Sequence, residues 1–372
     1  MARPRLRATL TLITITLLIP ALLISIAEIC TRIFGQNLDP LAVFVSSPQL
    51  RMDTQGEATS GMFEFDPALT WRLRPNLHSI WWDYTSVSTN SSHLRMEREL
   101  SAKRGLRIIT LGDSVTFGYR VPAAMNKDKP GEFNSEEKSY SRLLEEMLRK
   151  KFPGREIEVI PLACPGYSSA QGLAWLRRDI AELQPDIVTA CFGWNDARVA
   201  GAADRDTLPG TSSQVRIRAL MSHSQLLLHL AQSAQIRTAA VIPKIEPRSS
   251  PEEYTAHFAE MSALCREHGA WFGVILPFYR DPNKSGNSPD EQDNAGNPAE
   301  GERMTQYRNQ LRSVAVAQKI PALEITELYE YAWPSNTEYF GERIHPNFVG
   351  HVLIAERLLE FISPAVSERV RW

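Results

Sequence analysis

The chain is expected to fold as an α/β protein, with a mostly parallel five-stranded sheet covered by helices on both faces and a membrane-length helix ahead of it. Three observations lead there. Five short, largely apolar runs, at 107–111, 157–161, 186–192, 271–276 and 321–325, alternate with amphipathic stretches. These runs are near-continuous in apolar residues, as strands buried on both faces are, and alternation with helices implies parallel crossovers. Finally, residues 8–27 carry no charge. With 372 residues, 43% hydrophobic and 23% charged, the chain is long enough for one large domain plus an appendage.

At the N-terminus, Arg3, Arg5 and Arg7 precede the uncharged stretch. About twenty residues of helix span roughly 30 Å, the thickness of a hydrocarbon core. Basic residues ahead of it favour an inside N-terminus and a translocated remainder. Residues 1–30 therefore read as a signal-anchor. A cleaved signal peptide is the competing reading, but Ile26-Ala27-Glu28-Ile29-Cys30 lacks a small-x-small site, and Glu28 also spoils it as a lipoprotein site. The remainder of the chain is then expected outside the cytoplasm. Residues 31–104 read as a stalk to about residue 60, followed by a small β-rich accessory segment containing Trp71, Trp81 and Trp82. These aromatics either pack onto the main domain or bind sugar.

From 105 to 365 the strands alternate with helices. Tyr140, Leu143, Leu144, Met147 and Leu148 mark one apolar helix face, and Leu173, Leu176, Ile180 and Leu183 another. Ser250-Pro251-Glu252-Glu253 is a capping box with proline at the first helical position. It opens a helix striped by Tyr254, Phe258, Met261, Leu264 and Cys265, and a last helix is expected from about 347 to 362. Long polar segments at 120–138, 197–213 and 280–302 leave the carboxyl edge of the sheet, where ligands bind in such folds. They are expected to wall the site.

Composition also excludes. A formal net charge of −2 argues against nucleic-acid binding through a basic surface. Among four cysteines and eight histidines there is no zinc spacing, and no glycine-rich phosphate loop follows a strand, so no metal, nucleotide or other cofactor is inferred. Cys30, Cys164, Cys191 and Cys265 form no disulfide framework and read as free thiols.

Four segments carry chemistry. The first strand stops at Gly112-Asp113-Ser114, where glycine permits a tight turn and serine starts a new element, a way to expose a nucleophile. The second strand leads to Pro165-Gly166-Tyr167-Ser168-Ser169, where Gly166 can bring a bare N–H to a reacting oxygen or the serines can simply cap a helix. The third ends at Gly193-Trp194-Asn195-Asp196. An asparagine amide donates without adding charge, which suits an oxyanion, and Asn195 equally suits a turn. The fourth is Glu342-Arg343-Ile344-His345-Pro346-Asn347, placing a histidine in extended conformation just before a helix. Asp113, Asp196 and His351 read as supports for these turns.

In this order the four segments resemble the blocks of the SGNH hydrolase superfamily, the GDSL-like esterases and lipases, over roughly residues 105 to 362. The stretch from Asp66 to Asn76 resembles the lead-in of its membrane-anchored bacterial members. The resemblance implies a flavodoxin-like three-layer sandwich and a serine nucleophile, Ser114, with His345 as its base. It implies an oxyanion hole made of the Ser114 N–H, the Gly166 N–H and the Asn195 side chain. Where the family usually has aspartate three residues before the histidine, this chain has Glu342, which can orient an imidazole in the same way. The function implied is a serine esterase acting on O-acyl esters, acetyl foremost, of envelope or extracellular polysaccharide, or on a small ester. A sugar O-acyltransferase with the same triad and a non-catalytic glycan-binding or assembly protein are the alternatives. No protein partner is implied.

Overall fold

A computed structural model of the chain describes residues 3–45, 61–83, 85–122, 132–134, 136–200, 202–238, 246–279, 298–329, 337–341 and 344–370. Helix α1 (Arg3–Phe34) contains the uncharged stretch. Helix α2 (Pro40–Phe44) follows, with proline at its first turn and the Asp39 carboxylate accepting the Leu41 N–H. Leu41 and Val45 are buried in the same core as the sheet. Residues 40–45, placed in a stalk by the sequence, thus fold against the body, because their apolar side chains find a partner there.

Two hairpins come next. Strands β1 (Phe63–Asp66) and β2 (Thr70–Leu73) pair antiparallel, as do β3 (Ile80–Trp82) and β4 (Thr85–Val87). Met62, Leu69, Trp71, Trp82 and Val87 are buried in the main core, so Trp71 and Trp82 pack rather than stand open to solvent.

All five expected sheet strands are present: β5 (Leu106–Gly112), β6 (Ile157–Ala163), β7 (Ile187–Cys191), β10 (Trp271–Ile275) and β11 (Ala322–Leu323). Between them lies the short antiparallel pair β8 (Val199–Ala200) and β9 (Glu246–Pro247). The sheet order is β11-β10-β7-β5-β6, and every pairing is parallel. Burial on both faces shows residue by residue. Ile108, Ile187 and Ile275 face one core with α4 (Tyr140–Lys151) and α12 (Phe348–Arg369). Ile109, Val188 and Val274 face the other with α5 (Ser169–Leu183), α10 (Pro251–Glu267) and α11 (Pro298–Gln318). Each such side chain, fully buried, contributes about 1.5–3 kcal/mol. The molecule is a three-layer α/β/α sandwich.

Two lengths differ from expectation. Strand β11 has two residues because it is an edge strand paired only to β10. Helix α12 runs past Pro364 to Arg369, since Ala365 and Val366 are buried and keep the last turns packed. Of the three long polar segments, 123–131 and 280–297 lie outside the described residues, and 197–213 includes β8 and the short helix α7 (Asp204–Thr207). Between β8 and β9 lie two further helices that no sequence pattern marked, α8 (Ser212–Ser222) and α9 (Gln225–Thr238).

Candidate active site

In chain order the sheet strands lie 2-1-3-4-5, so the winding reverses between β5 and β7. A crevice opens at the carboxyl ends of the strands at such a reversal. The four sequence segments follow β5, β6, β7 and the last crossover, and three of them leave from that edge.

Strand β5 is buried throughout and must turn at once. A Cβ on Gly112 would lie 1.9 Å from Thr116 Oγ1, so only glycine allows the chain to fold back into the one-turn helix α3 (Ser114–Phe117). Asp113 caps that turn, its Oδ1 accepting the Val115 N–H at 2.9 Å. Ser114 follows, half-buried. The far end of α3 is gripped by Arg95, which donates to Phe117 O at 2.7 Å and Gly118 O at 2.6 Å. The same guanidinium donates to Ser86 O and Val121 O and lies 4.5 Å over the Phe117 ring. The accessory segment thereby holds the Ser114 turn.

His345 sits on a bend closed by Gly341 N–H to His345 O and Asn347 N–H to Tyr339 O, just before α12, which Asn347 caps. His345 Nε2 lies 2.7 Å from Ser114 Oγ, across 231 residues of chain. The imidazole can take the hydroxyl proton in place. The Tyr119 ring packs 4.2 Å from the imidazole, and the Tyr119 hydroxyl donates to Asp83 at the tip of the β3–β4 hairpin. Glu342 lies outside the described residues.

Gly166 adopts φ +80°, a conformation that favours glycine, and a Cβ there would meet the Trp71 ring at 3.4 Å. Both neighbouring carbonyls are tied: Trp71 Nε1 donates to Pro165 O at 3.1 Å and Arg248 Nη1 to Gly166 O at 2.6 Å. In a trans peptide the N–H points opposite the C=O. Trp71, by holding Pro165 O, therefore sets the direction of the Gly166 N–H. Arg248 also pairs with Asp204 and Gln171, locking the turn from outside. Asn195, in the short helix α6 (Trp194–Ala197), joins the other two turns. Its Nδ2 donates to Tyr167 O at 3.0 Å and, more weakly, to Asp113 Oδ2 at 3.3 Å. The structure thus brings Ser114 to His345, and Asn195 to the turns that carry Ser114 and Gly166.

Asp113 ties its own turn, as its position suggested, whereas Asp196 and His351 brace helix starts elsewhere in the fold. Burial, opposed by the Val115 N–H, raises Asp113 to about 6. Asp196 accepts the Ser169 N–H and hydroxyl and so braces the start of α5. His351 accepts the Tyr140 N–H at 3.2 Å. Burial first, then Arg95 and His345, lowers its imidazole from 6.5 to about 3. Between those values the unfolded chain binds the proton and the folded chain does not, so stability falls as pH drops through that window, by about 2 kcal/mol at pH 5. His351→Gln keeps an acceptor for Tyr140 and removes the titration. Urea unfolding should show it losing about 2 kcal/mol less than wild type between pH 7 and pH 5. An equal loss in both would refute this role.

A second Ser–His–Asp grouping, Ser169, His257 and Asp196, has the wrong order for nucleophile activation. Ser169 Oγ lies 2.5 Å from Asp196 Oδ1 and 2.8 Å from His257 Nδ1. With the hydroxyl proton on the carboxylate side, Nδ1 donates to Ser169, so that ring is no base for it. Ser169 is also fully buried.

Sequence reasoning missed Trp71, Arg95 and Arg248 as parts of this site. Each holds a backbone carbonyl of the site's turns, 22 to 94 residues away, and no local pattern marks such contacts.

The pattern of the GDSL-like Lipase/Acylhydrolase family matches residues 110–353. No curated protein matches the chain in sequence. Among solved structures, the chain is similar to LAE5, an α/β hydrolase enzyme from the metagenome of Lake Arreo in Spain, at 21% identity and TM-score 0.44. That alignment covers 70% of this chain and 95% of that one. A catalytic mutant of Axe2, an acetylxylan esterase from Geobacillus stearothermophilus, aligns at 18% identity and TM-score 0.43, covering 71% and 96%. The lipase/acylhydrolase from Enterococcus faecalis aligns at 18% and 0.41, covering 70% and 96%. The family match runs from the β5 segment bearing Ser114 to the start of α12 beyond His345; the chain belongs to the GDSL-like lipase/acylhydrolase family and is a carboxylic ester hydrolase of the serine type.

Proposed function

We propose that this esterase is anchored in a membrane by α1 and removes short acyl groups, acetyl foremost, from carbohydrate outside the cytoplasm. Ser114 is the nucleophile, His345 its base, and Glu342 the acid that orients the imidazole. The Ser114 and Gly166 N–H groups and the Asn195 amide receive the oxyanion. The observation that carries the assignment is the 2.7 Å approach of His345 Nε2 to Ser114 Oγ at the sheet's switch point. As Ser114 attacks the ester carbonyl, His345 takes its proton and returns it to the departing alcohol; water then releases the acyl group by the same route.

A polar alcohol half suits the surroundings: Tyr119, Asp83 and Arg120 stand together beside His345, with charged and aromatic groups on one rim. Helix α1 supports the anchor, since Thr16–Phe34 is long and on average apolar enough to cross a membrane, is not buried, and follows Arg3, Arg5 and Arg7. The test compares acetate release from O-acetylated polysaccharide with hydrolysis of p-nitrophenyl acetate and p-nitrophenyl palmitate. Acetylated polysaccharide and p-nitrophenyl acetate should be cleaved, and the palmitate ester should not. Preference for the long chain would overturn the substrate class.

Trp71 is here a positioning residue. Trp71→Phe keeps the ring's bulk and drops the bond to Pro165 O. It should lower kcat about tenfold with KM little changed, because an oxyanion donor is misdirected without loss of binding surface. An unchanged kcat, or a fall in kcat matched by loss of folded protein, would remove Trp71 from that role.

A further inference from the structure

Helices α8 and α9 are poorly paid for by the protein interior. Among its described residues α8 buries no side chain, and Ile217, Leu220 and Leu230 are 56%, 67% and 58% exposed. Yet the pair is fastened firmly, with most of its polar bonds at the foot of α1 and just beyond it. Glu28 accepts the Ser224 hydroxyl at 2.7 Å, the Gln225 N–H at 3.0 Å and the Leu226 N–H at 2.9 Å, so it caps the start of α9. Arg32 donates to His223 O at the end of α8. The Gln225 side chain pairs with both the N–H and the C=O of Leu38, and His229 Nε2 meets Gln36 O at 2.9 Å. On its other side, Arg218 of α8 lies over the rings of Phe44 and Phe65 and donates to Thr70.

These contacts fix a depth. Glu28 is the first charged residue after Arg7, and the twenty residues between span a hydrocarbon core. A carboxylate at the end of such a span belongs at the headgroup level. The α8–α9 turn, bonded to it, must lie at the same level, and Ile29, Ile33 and Phe34 of α1 are exposed beside it. We infer that α8 and α9 rest on the membrane surface, with Ile217, Leu220 and Leu230 entering the headgroup–acyl boundary where α1 leaves the bilayer, and so hold the catalytic body at a fixed attitude to the membrane. The inference rests on the anchor reading given above. Apolar side chains at that boundary gain burial from lipid that the protein core does not give them. Arg216, exposed on α8 next to Ile217, suits an anionic lipid surface.

The test uses the full chain in vesicles of phosphatidylcholine and phosphatidylglycerol. Cys30, the exposed one of the four free thiols, is replaced by serine. An environment-sensitive dye is then attached at Leu220→Cys or Leu230→Cys, or at Val316→Cys on α11, an equally open apolar position at 75% exposure. Lipids carrying a shallow nitroxide should quench the dye at 220 and 230 at least twofold and leave 316 unchanged. If the protein stays with the vesicles through an alkaline wash but no position is quenched, the anchor stands and this inference falls. If the protein washes off, the anchor reading fails and this one goes with it. Quenching by a second labelled copy, without quenching by lipid, would assign the face to a dimer and overturn the membrane contact.

Discussion

Ser114→Ala should reduce kcat on p-nitrophenyl acetate by roughly 10⁴–10⁶-fold, with the fold intact. The substitution removes one oxygen from a half-buried turn whose framework lies elsewhere: in the Asp113 cap, in the clearance that Gly112 leaves for Thr116, and in the carbonyl bonds of Arg95. The thermal midpoint should move little. His345→Ala should cost about as much as Ser114→Ala, and the double variant little more than either, because the proton transfer needs both atoms of the 2.7 Å pair. Additive losses would mean that the two act separately and would break the assignment. Glu342→Gln tests the remaining member. An acid that holds the imidazole tautomer and stabilises imidazolium is worth roughly 10²–10⁴-fold, so a loss within threefold would move the orienting role to another group.

What was readable in the sequence follows from local physics. A strand covered on both faces has to be apolar along its length, so Ile108 to Leu111 and Ile187 to Ala190 announce themselves, and the helices between them show their buried stripes. The turn at Gly112 is legible because only one residue type fits there. Capping at Ser250 is legible because donor and acceptor lie within four residues. The illegible parts depend on partners far along the chain. Trp71 reads as one more core aromatic until its Nε1 is seen on Pro165 O. Arg248 sits in an unremarkable polar stretch, yet it ties Gly166, Gln171 and Asp204. Helices α8 and α9 lack a clear buried stripe, because much of their fastening comes from polar bonds to a long apolar helix some 190 residues earlier. In α12 the proline at 364 suggests an earlier end than burial of Ala365 and Val366 allows.

Asn195→Ala should lower kcat by about 10²–10³-fold while KM changes little, the loss expected when one preorganised donor to an oxyanion is removed. The geometry explains why this side chain can act in the transition state and not merely brace the turn. One amide hydrogen is committed to Tyr167 O at 3.0 Å, which fixes the plane of the group. The other makes only the 3.3 Å contact to Asp113 Oδ2, a bond weak enough for a developing oxyanion to share. In the ground state, then, the donor is held in place without being strongly spent. Asn195→Asp separates the two roles. It preserves shape but replaces the donor with an acceptor facing the Asp113 carboxylate, which burial already raises to about 6. Two carboxylates in that turn would repel or share a proton. At neutral pH, Asn195→Asp should be at least as inactive as the alanine variant. Toward pH 5, where Asp113 and the new acid take up protons, it should recover relative to Asn195→Ala because a protonated acid can donate again. If Asn195→Ala stays within tenfold of wild type, Asn195 belongs to the turn alone and the oxyanion must be met by backbone N–H groups.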